Sequence, residues 1–113
     1  MTSYNGFTPA QRYRGLAIVK KAIADGVIPP ASTLPCSRCG QTQGIVMYHS
    51  EDYTPERIVA QVVPLCWRCH MMLHCRFRHP KSWERYAAEV AAGKVYPPVY
   101  RHNWNILNEH FID

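Results

Sequence analysis

Cys36-Ser37-Arg38-Cys39 and Cys66-Trp67-Arg68-Cys69 are the two stretches of this chain that decide its fold. Two residues separate the cysteines of each pair, which is the spacing at which a tight backbone turn directs two sulfur atoms to one ion. Two such pairs in a chain of 113 residues predict a structural zinc site formed by four thiolates. The alternative is a pair of disulfides, which requires an oxidising compartment.

The fifth cysteine and the first residues of the chain favour a reducing compartment. Cys75 has no partner in the pattern, and residues 1–6 lack the charged and then apolar order of a signal peptide. We therefore expect a cytoplasmic protein. No apolar run approaches the length that crosses a bilayer, so no membrane partner is expected.

The charge balance favours an anionic partner without identifying it. The chain has 13 Lys and Arg against 8 Asp and Glu, which gives a net charge of +5. Such a surplus attracts polyanions, and on a domain this small it is consistent with nucleic-acid binding. Basic soluble domains without a nucleic-acid partner are also common, so the charge alone leaves the question open.

The length of the chain allows one small core, so a single domain over residues 1–113 is expected. Thr8-Pro9-Ala10-Gln11 supplies an N-cap hydroxyl, a proline at the first helical position and the glutamine of a capping box. A helix is therefore predicted over residues 9–26. Its apolar face is expected to contain Tyr13, Leu16, Ala17 and Ile23, and its exposed face Arg12, Arg14, Lys20 and Lys21.

The remaining pattern places the cysteine pairs among short elements. Residues 43–49 are mostly β-formers and predict a strand. The second cysteine pair opens a predicted helix over residues 67–77, which ends before Pro80. Residues 80–92 predict another helix, and the apolar tail at 104–111 predicts a short last helix that packs back onto the domain.

Three of the six histidines have informative positions. His70 and His74 are four residues apart on the predicted helix, so both rings lie on one face, a spacing that can hold a metal ion. His49 ends the predicted strand and could lie opposite them. One interpretation is a second metal site. The other is that His70 and His74 pack beside the zinc site, cap a backbone end, or serve as zinc ligands in place of a cysteine.

The order of these residues resembles that of the HNH nucleases. The resemblance covers residues 36–74: a Cys-x-x-Cys pair, His-Ser-Glu-Asp-Tyr at 49–53, and Leu-Cys-Trp-Arg-Cys-His-Met-Met-Leu-His at 65–74. It is similar in particular to small phage and prophage members with four zinc-binding cysteines. The resemblance implies an α+β fold, with a zinc-bound ββα-metal core related to treble clefs over residues 36–78. Helices at 9–26 and 80–113 would flank that core.

The resemblance also implies a site and a chemistry. His70 matches the closing histidine of the family motif, a metal ligand, and His74 matches a second helical ligand. One divalent ion, Mg²⁺, Mn²⁺ or Zn²⁺, would be held against a scissile phosphate while a histidine deprotonates the attacking water. His49 fits two registers: as the general base, with one ligand lost, or as a ligand, with the base lost.

Two departures from the family pattern predict a diverged member. The spacing to Asp52 and Tyr53 favours the register in which His49 is the ligand and Ser50 stands where the base is expected. Serine has no useful basicity at neutral pH, so this register predicts slow or absent cleavage. Gln61 lies near the place of the family's asparagine, and its longer side chain would not hold a base in the same position.

The sequence therefore predicts a zinc protein with an HNH-like core that binds nucleic acid, with DNA as the first choice. The residues expected to contact the phosphate backbone are Arg38, Arg68, Arg76 and Arg78. Two other functions remain open. One is an active metal-dependent endonuclease that uses His49, His70 and His74 for catalysis. The other is a phage-encoded protein that keeps the zinc scaffold to bind and inhibit a host protein.

Overall fold

The computed structural model describes residues 1–113 and contains four α-helices and one two-stranded antiparallel sheet, which confirms the predicted α+β class. None of its helices combines the length and the apolarity needed to cross a membrane. In chain order the elements are α1 (Pro9–Ala24), β1 (Val46–His49), α2 (Ile58–Gln61), β2 (Val63–Cys66), α3 (Trp67–His74) and α4 (Pro80–Ala91), with short 3-10 helices at Ala31–Thr33 and Trp104–Glu109.

Helix α1 begins with the predicted capping box. The Thr8 hydroxyl accepts a hydrogen bond from the Gln11 backbone N–H at 3.2 Å, and the Gln11 side chain accepts one from the Thr8 N–H at 2.8 Å. The helix ends at Ala24, slightly before the predicted boundary, because Gly26 adopts the left-handed conformation with φ 73°.

The buried face of α1 differs from the predicted one. Tyr13, expected in the core, is 59% exposed, and Arg12, expected in solvent, is buried. The cause is Gly15, whose missing side chain lets the helix approach α2 and the loop before it: a Cβ atom there would lie 2.7 Å from the Ile58 side chain and 3.1 Å from the Tyr53 side chain. The residues that α1 buries are Arg12, Gly15, Val19 and Ala22.

The sheet pairs β1 with β2 so that Val46 lies opposite Cys66 and His49 lies opposite Val63. Strand β1 is shorter than predicted because Ile45 leaves the ladder and donates its backbone N–H to the Val99 carbonyl at 2.8 Å. Cys66 ends β2 and is also the N-cap of α3. The strand pair therefore fixes the position from which α3 starts.

The C-terminal part packs against the side of the molecule that carries the paired cysteines. Helix α3 ends at His74, three residues before the predicted boundary, and a turn leads into α4. The tail forms the predicted short helix, as a 3-10 helix in which Leu107 is 1% exposed. The Asp113 carboxylate then accepts hydrogen bonds from the Lys81 and Ser82 backbone N–H groups at 2.8 and 3.1 Å, which holds the chain end against the start of α4.

Replacing Gly44 with alanine is expected to cost about 2–5 kcal/mol, because left-handed strain adds to a backbone clash. Gly44 has φ 74°, and a Cβ atom there would lie 2.5 Å from the Val99 carbonyl oxygen. Gly26→Ala is the matched control, since its φ is 73° and a Cβ atom would meet nothing within 4 Å. Urea denaturation should give a loss of only about 1–2 kcal/mol for the control. Equal losses for the two variants would contradict the close packing of the tail at Gly44.

Candidate metal centres

The four paired cysteines come together as the sequence predicts. The sulfur atoms of Cys36, Cys39, Cys66 and Cys69 all lie within 4.8 Å of one another, and the Cys39 and Cys66 sulfurs are 3.8 Å apart. Tetrahedral coordination with Zn–S bonds of about 2.3 Å separates ligand sulfurs by about 3.8 Å. All the cysteines are free thiols, so the disulfide alternative is not the arrangement found. The cluster could hold a metal ion and is consistent with structural zinc.

Local backbone geometry directs each pair of sulfurs inward. In the first pair, Gly40 has φ 79° and donates its N–H to the Cys36 carbonyl at 2.9 Å, which closes the turn. In the second pair, the Cys66 sulfur accepts the N–H of Cys69 at 3.4 Å at the start of α3. The Cys69 sulfur also lies 2.9 Å from the Tyr86 hydroxyl, which connects the cluster to α4.

The electrostatics of the cluster require a cation if all four sulfurs are to ionise. Hydrogen bonds from the Cys66 and Cys69 thiols lower the pKa of Cys36. The same contact with Cys36 raises the pKa of Cys66 to about 12, and the contacts with Cys36 and Cys66 raise the pKa of Cys69. One thiolate therefore suppresses further ionisation. A bound zinc ion would reverse this, because it binds the thiolate form.

Three histidines form a second cluster beside the first. His49 comes from the end of β1, while His70 and His74 come from α3, and ligand nitrogens of the three lie within 4.8 Å of one another. The Nε2 atoms of His70 and His74 are 3.0 Å apart. Two imidazole ligands at about 2.1 Å from one ion are separated by about 3.0–3.4 Å, so the spacing fits a shared divalent ion.

Burial keeps these imidazoles neutral. His49 is 3% exposed and His70 is 8% exposed, and the Nδ1 atoms of both are buried without a hydrogen-bond partner. Burial, followed by the positive charge of neighbouring groups, lowers the pKa of His70 to about 3 and that of His74 to about 4. Burial also lowers the pKa of His49. Neutral imidazoles have a free lone pair, which is the form that binds a metal.

Glu51 adds a carboxylate to the histidine cluster, and sequence reasoning did not identify it as a site residue. Its carboxylate contacts His49 Nε2 and the Tyr4 hydroxyl, and it pairs with Arg76 at 2.8 Å. Burial alone would raise the pKa of Glu51, but hydrogen bonds from Tyr4 and Asn5, the contact with His49 and the charge of Arg76 bring it to about 2. The cluster therefore has one fixed negative charge beside neutral imidazoles.

Tyr4 covers the cluster, and sequence reasoning missed this residue as well. Its ring centroid lies 4.9 Å from that of His74 and 6.1 Å from that of His49. A tight turn at Asn5-Gly6 holds it there, with reciprocal backbone hydrogen bonds between Tyr4 and Phe7 at 3.0 and 2.9 Å. The Asn-Gly dipeptide is a strong turn signal, so the turn was detectable from sequence. Its position over the histidines was not.

Ser50 and Gln61 have structural contacts next to the cluster. Ser50 is 3% exposed, and its hydroxyl accepts a hydrogen bond from the Gln61 amide at 2.6 Å. The Gln61 carbonyl oxygen accepts the backbone N–H groups of Glu51 and Asp52, each at 3.2 Å. Gln61 therefore fixes the loop that carries Glu51, and this loop follows directly after His49 at the end of β1.

The four arginines expected to contact nucleic acid have different environments. The Arg68 side chain is 7% exposed and bonds Glu109 at 2.5 Å and His110 at 3.0 Å, so a surface role for it is corrected to an internal one. Arg76 is partly exposed and pairs with Glu51. Arg38 is exposed and lies over the Trp83 ring at 4.7 Å, and Arg78 is exposed.

A cavity of about 470 Å³ lies beside the histidine cluster. The residues on its wall include Arg38, His49, Glu51, Arg76 and Trp83. The cavity therefore combines one member of the histidine cluster with two guanidinium groups, which are suited to an anionic ligand.

Comparisons with protein-family models, with curated proteins and with solved structures give no match for this chain. The resemblance to the HNH nucleases therefore remains an expectation.

In the protein without a second ion, His70 and His74 are expected to remain neutral down to about pH 5, and His49 is expected to titrate below its ordinary midpoint. Their lowered pKa values mean that the unfolded state, with a histidine pKa near 6.5, takes up protons before the folded state does. Their contribution to stability is thus complete above pH 6.5 and decreases as the pH falls towards about 4. Imidazole ¹⁵N chemical shifts, followed by NMR from about pH 7 to 4, measure this directly. A midpoint near 6.5 for all three rings would contradict their burial.

Proposed function

We propose that this chain is a zinc-stabilised nucleic-acid-binding protein that hydrolyses phosphodiester bonds at a second divalent-cation site. The observation that carries the proposal is the convergence of three neutral histidines, of which His49 and His70 are buried, beside the Glu51 carboxylate. Two of these histidines come from the helix that the four-cysteine cluster anchors. The four-cysteine centre, the histidine centre and the cavity beside His49 each have a separate role in this function.

The four-cysteine centre has a structural role in this proposal. Four protein ligands leave no open position for a substrate, which is typical of structural zinc sites. Cys66 and Cys69 lie at the start of α3, and His70 is the next residue of the same helix. Zinc at this centre would therefore fix the direction in which α3 presents His70 and His74.

The histidine centre has the composition of a catalytic site. Three protein ligands leave a position free, and a divalent ion held there would supply positive charge to a phosphate oxygen and lower the pKa of a water molecule. His49, His70 and His74 hold that ion. Glu51 accepts from His49 Nε2, which fixes the orientation of the imidazole and increases its basicity.

The cavity beside His49 supplies the substrate contacts. Arg38 lies on its wall and can bind the oxygens of a phosphodiester. Arg76 lies on the same wall, but its guanidinium is paired with Glu51 at 2.8 Å. Arg38 is exposed, and its stacking on Trp83 holds the guanidinium in place. Arg68 has no part in this binding because Glu109 and His110 already engage it inside the molecule.

Metal analysis and plasmid cleavage test the proposal together. Protein purified without added zinc should contain one zinc ion per chain, and a second equivalent should bind at the histidine centre. Supercoiled plasmid should be nicked when Mg²⁺, Mn²⁺ or Zn²⁺ is added and should stay intact with a chelator in excess. Hydrolysis would be removed from the proposal by two results together: the protein binds one zinc ion per chain and no second equivalent of any added ion, and the plasmid stays intact with all three ions.

A second candidate function is binding of another macromolecule without cleavage. The observation that favours it is the cover over the histidine centre, in which Tyr4, Glu51 and Arg76 form one hydrogen-bonded group. Such a cover restricts access to the ion. A second bound metal without any nicking, combined with DNA binding that weakens as salt increases, would favour this candidate over hydrolysis.

A further inference from the structure

A second and larger depression lies on the other side of the histidine centre. It has a volume of about 800 Å³, and aromatic side chains account for much of its wall. We call it the aromatic groove. The residues on its wall include Arg12, Trp67, His74, Phe77, Arg78 and Trp104.

Two large rings in this groove are exposed to solvent. Phe77 is 66% exposed and Trp104 is 59% exposed. Trp104 meets the buried Trp67 ring edge-on with centroids 5.4 Å apart, and the Arg76 guanidinium lies 4.3 Å over the Phe77 ring, so neighbouring groups hold both rings in place. The exposed parts of the two rings form a surface on which a planar group can stack.

The wall of the groove also contains a hydrogen-bond donor without an acceptor. Trp67 is 1% exposed, and its indole N–H is buried without an acceptor. Buried donors normally have partners, so an unpaired one in the wall of a depression indicates an acceptor that the chain itself does not supply. A phosphate oxygen or a base carbonyl is such an acceptor.

The charge of the groove identifies the class of occupant. Arg12 and Arg78 line it, and its wall contains no carboxylate. Arg12 bonds only a backbone carbonyl and the Tyr53 hydroxyl, so no carboxylate neutralises its charge. The occupant therefore has to be anionic as well as flat and apolar. A second copy of this chain would bring the same positive charge and does not fit.

Unpaired nucleotides combine an anionic phosphate with a flat base, as the charge and the rings of the groove require. Bases in a duplex are stacked on one another and do not offer their faces to protein rings, whereas single strands stack their bases on exposed aromatics and place phosphates beside cations. His74 belongs to the wall of the groove and also to the histidine cluster. A strand in the groove would therefore run directly to the second metal centre.

We propose that the aromatic groove binds single-stranded DNA, with unpaired bases stacked on Trp104 and Phe77 and a backbone phosphate at Arg78. This inference rests on the proposed nucleic-acid function and makes it specific: the substrate is a single strand or the unpaired part of a duplex, and not a continuous double helix. The strand passes His74 on its way to the phosphodiester that is cut.

Fluorescence anisotropy with labelled DNA tests this inference on the full chain in its zinc form. The probes are an oligothymidine of about 12 nucleotides and a duplex of the same length. Trp104→Ala is expected to weaken binding of the single strand by at least about fivefold, because each base stacked on a protein ring contributes that much or more. Trp104→Phe keeps an aromatic face and is expected to keep most of the affinity.

Tyr100→Ala is the matched control, since Tyr100 is 69% exposed and lies outside the groove. It should change the affinity for the single strand by less than about twofold. Zinc content and circular dichroism of each variant separate a folding defect from a binding defect. Phe77→Ala provides an independent second variant, with the same expected direction as Trp104→Ala.

The possible outcomes separate this inference from the proposed function. Duplex binding without single-strand binding would overturn the inference and leave the proposed function intact. Equal effects of Trp104→Ala and Tyr100→Ala would also overturn it. No binding of either probe at low salt would overturn the proposed function together with the inference. Capture of a protein that is lost with Trp104→Ala, without any single-strand binding, would assign the groove to a protein partner instead.

Discussion

Cys69→Ser is expected to abolish zinc binding and to unfold the chain at room temperature. Cys69 is 0% exposed, and its sulfur is surrounded by the other three cysteines and Tyr86. A serine hydroxyl does not ionise near neutral pH and is a poor zinc ligand. Structural zinc contributes on the order of 10 kcal/mol, which is comparable to the whole net stability of a small domain, about 5–15 kcal/mol. Atomic emission measures the zinc, and circular dichroism measures the fold.

Cys75→Ser is the control for this prediction. Cys75 is half-buried and lies outside the four-cysteine cluster, although it follows α3 directly. Its replacement should leave one zinc ion per chain and change the free energy of unfolding by about 1 kcal/mol or less. A Cys69→Ser protein that retained zinc and melted at the temperature of the Cys75→Ser protein would refute the four-thiolate centre.

His70→Ala is expected to abolish the second metal equivalent and to reduce plasmid nicking by about 100-fold or more. The Nε2 atoms of His70 and His74 lie 3.0 Å apart, so both would bind the proposed ion, and even the loss of a residue that only orients a ligand costs about 10–100-fold. The four-cysteine zinc should remain, because its sulfurs are untouched. Titration with cobalt, followed by its absorption spectrum, distinguishes thiolate from histidine coordination and shows which centre is lost.

The control for His70→Ala is His79→Asn, which changes a histidine at the N-cap of α4 to a residue that is favourable in that position. The control should bind two metal ions and nick plasmid at the rate of the unmodified protein. If His70→Ala keeps both the second ion and the nicking rate, the three-histidine centre is not the site of cleavage. If nicking persists while the second ion is lost, contamination by another nuclease is indicated.

The parts of the fold that sequence predicted well depend on short-range geometry. The two cysteine pairs and the Thr8–Gln11 capping box each need only a few neighbouring residues to form, and both were found. His70 and His74 are one helical turn apart, so their common face also follows from local geometry. The placement of His49 beside them followed once the strand before the second cysteine pair was recognised.

The parts that sequence missed depend on contacts between distant segments. Arg12 is buried because Gly15 brings α1 close to the loop that carries Tyr53, and no periodicity in α1 indicates this. From the sequence, Arg68 is expected at the surface, since it lies between the cysteines of the second pair. In the structure its guanidinium is buried because Glu109, from the C-terminal tail, pairs with it. Tyr4, from the segment before α1, donates its hydroxyl to the carboxylate of Glu51. Each of these contacts required the assembled fold.

Helix α3 has one further consequence for the cell. Cys69 and His70 are consecutive residues, so the thiol centre and the imidazole centre share a single support. The Cys39 and Cys66 sulfurs are 3.8 Å apart, close enough that an oxidant could join them once their ion is released. Such a bond would remove two of the four sulfur ligands at the start of the helix. Oxidising conditions would then weaken the support of His70 and His74 as well as the thiol centre itself.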